Sequence, residues 1–221
     1  MTKNHLKRLA IPQTWSIPRK AAKLVVRPRG YLNSALPVAI ILKEILGVAE
    51  SRRETKRIVQ DGKVLVDGIV IKDERRPVTL MSIISITDAG TYRMLLNKRG
   101  KLYLKELNSK QEFKPCKVIS KKSIKGNKIQ LGFHDGRTII TDNKEGNLND
   151  TFIFKVPDFK QSTHLKLAKK AKVYLTGGSN VGSTGVVENI SGKVTVKIGE
   201  TMVDTGLENI FMIDESIDVN E

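Results

Sequence analysis

Cysteine is almost absent from this 221-residue chain, with Cys116 alone. One thiol forms no internal disulfide and no zinc site of Cys ligands, which excludes disulfide scaffolds and Cys-rich fingers. Cys116 falls in an expected strand and carries no nucleophile signature, so it reads as a small buried hydrophobe. Histidine is nearly as scarce. His5, His134 and His164 lie far apart without metal-ligand spacing, and His134-Asp135 sits in an expected hairpin turn. No catalytic residue and no metal or other cofactor is expected. Aromatic residues make up only 5%, which disfavours a module that stacks single-stranded bases. The longest apolar run, Leu36 to Leu42, is far short of the ~20 residues that cross a bilayer. The N-terminus has no apolar stretch of the signal-peptide kind. Acid is also in short supply. Against 23 Asp and Glu stand 39 Lys and Arg, giving a net charge of +16 and an isoelectric point near 9.9. A hydrophobic fraction of 39% is enough for packed cores. What remains is a folded, basic protein that suits a polyanionic partner.

The charge is unevenly spread. Residues 1–30 hold 8 basic and no acidic residues, residues 31–110 carry +6, and residues 111–170 carry +7. Residues 171–221 carry −5. The polyanion contact therefore belongs to the first three-quarters of the chain.

Residues 1–34 are punctuated by Pro12, Pro18, Pro28 and Gly30 too often for a long helix. They read as an extended basic arm with apolar anchors at Leu6, Leu9, Trp15 and Ile17, expected to order against a partner. It lacks the sustained 3.6-residue period of a membrane-surface helix. Two helices follow. The first spans Leu36 to Leu46, with Pro37 near its start and Gly47 after its end. Ser51 opens the second in a capping box with Glu54, and Gly62 closes it. On its wheel Thr55, Ile58 and Val59 share one face, while Arg53, Lys56 and Arg57 share the other with Arg52 at the flank. Such a face is either a solvated surface or a phosphate-binding one. With a single acid, assigned to the cap, binding is favoured.

The period then changes to two. Val64 and Val66 alternate, Asp67-Gly68 marks a two-residue hairpin, and Ile69 and Ile71 follow. Lys72 to Pro77 is a charged turn and Ile83 to Ile86 a closing strand. From Thr91 short strands recur at 92–96, 102–107, 116–120, 128–132, 138–141 and 151–155. Turns at Lys98-Arg99-Gly100, Lys125-Gly126-Asn127, Asp135-Gly136 and Glu145-Gly146-Asn147 separate them. Residues 170–215 suggest a small barrel of five short strands around glycine turns, and the residues from Asp214 onward a frayed acidic tail. The run Gly177-Gly178-Ser179-Asn180-Val181-Gly182 lacks the lysine of a P-loop, misses the G-x-G-x-x-G spacing and precedes a strand. It suits close backbone approach to RNA or another chain better than nucleotide binding.

Four consecutive blocks of residues resemble a known family. They are His5-Leu6-Lys7-Arg8-Leu9-Ala10 with Pro12, Trp15 and Arg27-Pro28-Arg29; Ser51-Arg52-Arg53-Glu54 through Asp61 to Gly68; His134-Asp135-Gly136-Arg137-Thr138 with Asn149-Asp150-Thr151; and Thr176 to Val186 with Glu208-Asn209-Ile210-Phe211. Together they resemble the archaeal and eukaryotic small-subunit ribosomal proteins of the e-type S4 family. The chain stops soon after the last strand, which points to an archaeal member.

The resemblance implies an α+β architecture in four parts. These are a basic N-terminal arm at 1–35, an S4-type RNA-binding domain at 36–90, a central β domain at 91–169 and a KOW-type β-barrel at 170–221. It implies a structural constituent of the small ribosomal subunit in the cytoplasm. The expected partners are small-subunit ribosomal RNA and neighbouring ribosomal proteins, with no enzymatic activity, small-molecule substrate or membrane. Carried over position by position, the RNA-binding residues are Lys7, Arg8, Arg19, Lys20, Arg27 and Arg29 in the arm. Arg52, Arg53, Lys56, Arg57 and Lys63 follow in the helix and turn, and Gly177, Gly178, Asn180 and Gly182 in the glycine loop. The acidic balance of the last block departs from the pattern and suits protein contacts as well as RNA. Two rival functions remain open: the RNA-delivery module of a modifying enzyme, and a KOW-type transcription or translation factor. The all-β reading of 91–221 offers no catalytic unit for the first, and the second has no need of a basic arm.

Overall fold

The computed structural model describes residues 4–30, 32–87, 89–107, 112–126, 128–141, 146–214, 217 and 219. The chain divides into two compact units, 1–111 and 112–221.

The first unit opens with strands β1 (His5–Lys7) and β2 (Leu24–Val26), paired antiparallel. The intervening chain folds back on the unit. Trp15 is 1% exposed and its indole Nε1 donates to the Leu32 carbonyl at 3.2 Å. Leu102 N–H donates to the Thr14 carbonyl at 2.7 Å. The arm expected to wait for a partner is thus ordered by its own chain. Trp15 and Ile17 are the anchors that hold it, at 1 and 5% exposure, while Leu9, also expected to anchor it, stays 77% exposed.

Strand β3 (Ala35–Pro37) comes next and pairs with β6 (Pro77–Thr79). The helix expected from Leu36 therefore starts two residues later, as α1 (Val38–Ile40), and continues as a wider π-type turn over Ile41–Ile45. Pro37 closes the strand and sits at the N-cap. Helix α2 (Arg52–Gln60) is capped by Ser51, whose hydroxyl accepts from Glu54 N–H at 3.2 Å. The Glu54 carboxylate reaches one residue further back than a capping box requires, to Glu50 N–H at 3.0 Å. At the other end Gly62 adopts φ +77°. Gly62 N–H donates to Val59 and Lys63 N–H to Ile58, a Schellman closure.

Strands β4 (Val64–Val66) and β5 (Ile69–Val70) flank Asp67 and Gly68, both at positive φ as a type I′ turn demands. With β7 (Ile83–Ile86), β8 (Gly90–Leu96) and β9 (Leu102–Glu106) they form one antiparallel sheet in the order β5-β4-β7-β8-β9. Strands β8 and β9, expected to begin the central β region, instead complete the sheet of the helical unit. Strand β8 pairs with β7 and β9 with β8, which carries the sheet past the boundary expected at residue 90. Leu36, Ile41, Leu42, Val59, Val64, Ile84, Met94 and Leu95 form a core from which water is excluded.

The second unit holds two five-stranded antiparallel sheets. The first comprises β10 (Phe113–Ile124), β11 (Lys128–Phe133), β12 (Thr138–Thr141), β13 (Thr151–Lys155) and β14 (Lys160–Leu165), ordered β12-β11-β10-β13-β14. The second comprises β15 (Lys172–Leu175), β16 (Thr184–Ser191), β17 (Lys193–Ile198), β18 (Thr201–Thr205) and β19 (Ile210–Met212), ordered β18-β17-β16-β15-β19. Cys116, Val118, Leu131, Phe133, Phe152 and Phe154 fill the first core, and Val173, Leu175, Val187, Val194 and Val196 with Ile210 and Met212 the second. The five strands of the second sheet match the number expected there, whereas β14 was not expected, because its exposed polar face gives no apolar alternation. Asn127 and Glu145 of two expected turns lie outside the described residues, as does much of the acidic tail. Within that tail Ile217 and Val219 are buried, so it does not fray there.

Candidate nucleic-acid interface

Helix α2 presents the clearest cationic surface. Thr55 and Val59 are fully buried and lock one face against the core, so Arg53, Lys56 and Arg57 are held outward and exposed. No ion pair among the described residues engages these three. Arg52 at the flank is partly committed, since its Nε and Nη2 both donate to Glu74 Oε1, at 3.0 and 2.6 Å. Lys63 follows directly after the glycine closure, on the same end of the unit's chain.

The arm contributes less than its charge suggests. Arg8 is 4% exposed and is removed from the set of outward cations. Its Nε donates to the Ala22 carbonyl at 2.9 Å, its Nη1 to the Pro18 carbonyl at 2.8 Å, and its Nη2 to Glu44 Oε1 at 2.6 Å. The guanidinium fork is therefore a clamp between the arm and the helical pair. Arg29 pairs with Asp73 at 2.9 Å on the surface. Arg27 is half-buried, and its carbonyl accepts from Arg75 Nε at 3.1 Å. Lys7, Arg19 and Lys20 are exposed.

In the glycine loop, Gly178 and Gly182 adopt φ +87° and +82°. Gly182 N–H donates to the Leu175 carbonyl at 2.8 Å, and Asn180 C=O accepts from Ser183 N–H. Gly177 faces inward, since a Cβ there would lie 2.4 Å from Asn209 Oδ1. Its missing side chain is explained by packing on Asn209, and of the four loop positions Gly178 is the most open to solvent.

Burial also removes cations from the second unit. Lys114, 1% exposed, holds Asp135 Oδ2 at 3.1 Å, and Arg137 reaches the same oxygen at 3.3 Å. Burial pushes the Asp135 carboxyl up, but Lys114, His134 and the Arg137 N–H outweigh it and hold it below the usual carboxylate range. The Lys117 Nζ donates to the Leu207 and Glu208 carbonyls at 2.9 and 2.8 Å. Burial lowers it to about 8, with Glu208 opposing the shift. His134 accepts from Lys117 N–H at Nδ1 and packs edge-on against Phe211, so it is a packing residue. A second basic surface was missed by the sequence reading. The β10–β11 hairpin carries Lys121 and Lys122 on one strand, Lys125 in its turn and Lys128 on the other. The repeated Lys spacing around Lys125-Gly126 was the available signal.

Among the described residues no group of His, Cys, Asp and Glu is placed to hold a metal ion, and no helix is long and apolar enough to cross a membrane.

Comparison with known proteins places these features. A model of the S4 domain matches residues 38–84, and one of the ribosomal family S4e matches residues 89–161. The small ribosomal subunit protein eS4 of Nanoarchaeum equitans is 35% identical, over 98% of this chain and 97% of that protein. Its counterpart in Methanocaldococcus jannaschii is 38% identical, over 85% and 82%. The crystal structure of the 30S ribosomal protein S4e from Thermoplasma acidophilum superposes with a TM-score of 0.72 at 34% identity, covering 82% of this chain and 95% of that one. The chain belongs to the ribosomal S4e family.

Proposed function

We propose that this chain is a structural, non-catalytic constituent of the small ribosomal subunit that binds ribosomal RNA through Lys and Arg contacts to phosphate. The observation that carries it is the α2 face. Three cations stand side by side, exposed, without ion-pair partners, on a helix whose opposite face is locked in the core. Such contacts position a folded RNA without reading its sequence. Lys63 and the exposed arm residues Lys7, Arg19, Lys20 and Arg29 add cations to the first unit, and the lysines of the β10–β11 hairpin give the second unit a basic surface of its own. We read the glycine loop at 177–182 and the five-stranded sheet around it as a KOW-type barrel. Its acid excess suits a basic neighbouring ribosomal protein as well as RNA.

The test is binding of purified small-subunit ribosomal RNA by wild type and by the R53E/K56E/R57E variant across a salt series. Wild-type affinity should fall with salt at a slope of about 0.7–0.9 per phosphate contacted. The variant should lose most of its affinity and fail to enter small subunits on sucrose gradients, with its fold intact by circular dichroism. Wild-type affinity and incorporation in the variant would overturn the assignment.

A further inference from the structure

Between β2 and the helical pair the first unit has a half-open cavity of about 260 Å³, bordered by Val25, Val26, Ala39, Ile40, Lys43, Glu44 and Arg52. It lies just below the size of pockets that take drug-like ligands, about 300–1,000 Å³, and so suits one flat ring system. Val25, Val26, Ala39 and Ile40, at 8, 8, 4 and 4% exposure, make an apolar floor. Lys43 and Arg52 are exposed at the mouth. Arg52 spends Nε and Nη2 on Glu74 and keeps Nη1 for another acceptor. On the wall, Glu44 gives Oε1 to Arg8 at 2.6 Å but has only a 3.4 Å contact at Oε2.

We infer that this cavity receives a single unstacked nucleotide of the bound RNA, its base on the apolar floor and its phosphate against Lys43 and Arg52. The inference rests on the RNA-binding function proposed above, and three features favour a nucleotide. An aliphatic floor accepts a base's π-face and offers nothing to an ion. The mouth is cationic and shares Arg52 with the α2 face, so one strand of RNA runs from phosphate contacts directly into the cavity. The spare lone pairs of Glu44 accept from an exocyclic amine, as carboxylates do from cytosine N4. Uracil has no exocyclic amine and offers that carboxylate only its ring N3–H, flanked by two carbonyl oxygens that the carboxylate repels. The site thus prefers an amine-bearing base and adds base discrimination to an interface that otherwise reads only phosphate. Splayed bases are the usual object of such recognition in RNA.

The experiment is an amide NMR titration of the isotopically labelled full chain with millimolar CMP, UMP, cytidine and inorganic phosphate. CMP should shift the amides of residues 25–26, 39–43 and 55, more tightly than UMP does and several-fold more tightly than cytidine. Inorganic phosphate alone should not reproduce the pattern. K43A replaces an exposed side chain outside the core; it should weaken CMP roughly fivefold, as one exposed charge contact would, and leave cytidine unaffected. A39L should fill the cavity and abolish the response. No shift at these amides, an equal response to UMP, or the same shifts from phosphate alone would overturn the inference. The two proposals separate cleanly. The R53E/K56E/R57E variant should lose ribosomal RNA and keep the CMP response. If wild type binds ribosomal RNA and not CMP, only the cavity inference fails. If the triple variant binds ribosomal RNA normally, the α2 interface fails whatever CMP does.

Discussion

Replacing Arg8 by methionine should destabilise the first unit by about 3 kcal/mol. The substitution keeps an apolar stem of similar length and removes every donor of the fork. Two main-chain carbonyls, Ala22 and Pro18, lose donors at 2.9 and 2.8 Å, and Glu44 loses its 2.6 Å partner. Both carbonyls are part-buried on exposed residues, so each loss falls toward the low end of the about 1–3 kcal/mol of an unpaired carbonyl, while breaking a buried ion pair by removing one member costs about 3–5 kcal/mol. These overlap, because one side chain makes all the contacts. Glu44 also retains 21% side-chain exposure and can turn to water, which favours the low end. At about 4 °C per kcal/mol for a unit of roughly 100 residues, the melting temperature should fall by about 12 °C. Trp15 is the sole tryptophan and is buried within the arm. Urea unfolding followed by its emission therefore reports the first unit alone, and circular dichroism reports both. Trp15 should red-shift at lower urea in the variant, while the second unit's transition stays in place. A loss below about 1 kcal/mol, with Trp15 emission unchanged, would refute the clamp. It would return Arg8 to the RNA-facing set.

Four further outcomes follow from described contacts. K117M should destabilise the second unit by about 1 kcal/mol, because two part-buried carbonyls lose their shared donor. Lys117 titrates near 8 in the folded chain against 10.5 in the unfolded one; the unfolded state then binds more protons between these values, so stability should rise with pH from about 8 to 10.5 in wild type relative to K117M. The folded Asp135 carboxyl lies below 3.8, so its contribution is present above that value and lost as pH falls through the folded one. D135N should thus be destabilised at neutral pH in chemical denaturation and converge on wild type in acid. G185A should cost about 1–3 kcal/mol by overpacking, since its Cβ would lie 2.5 Å from Val196 Cγ1 and 2.7 Å from the Lys197 carbonyl; unchanged thermal unfolding would contradict that. The double variant K122E/K125E should weaken ribosomal RNA binding and flatten its salt dependence, while an unaltered slope removes that hairpin from the interface.

What the sequence revealed was mostly what neighbouring residues decide among themselves. The Ser51 cap, the Gly62 closure and the Asp67-Gly68 turn are fixed by bonds spanning two to five residues, so their signals sit in short windows. Leu36 and Pro37 misled because their partners, Val78 and Pro77, lie some forty residues away. The arm misled for the same reason at greater range. Within its own window it has few partners, but Trp15 bridges to Leu102 far along the chain. In the candidate interface, the α2 face was legible because helical period separates Thr55 and Val59 from Arg53, Lys56 and Arg57. Arg8 was counted with the RNA-binding cations, and Lys114 and Lys117 entered the charge of residues 111–170, because charge is visible in sequence and its burial is not. The period of Lys114, Cys116 and Val118 did contain a hint: the lysine occupies an apolar-face position.

The hydrogen bond from Leu102 to Thr14 has a consequence for how the protein is made. A chain is synthesised from its N-terminus, and folding units generally form in that order. Yet Thr14 and Trp15 meet their strand partner only after residue 102 has been added, and Arg8 meets Glu44 only after residue 44. The first segment to leave the synthetic machinery is thus among the last to settle. Until then its cationic side chains, Arg8 included, face solvent. A nascent arm therefore shows a polyanion one more cation than the finished fold does, and pairing with Glu44 withdraws it.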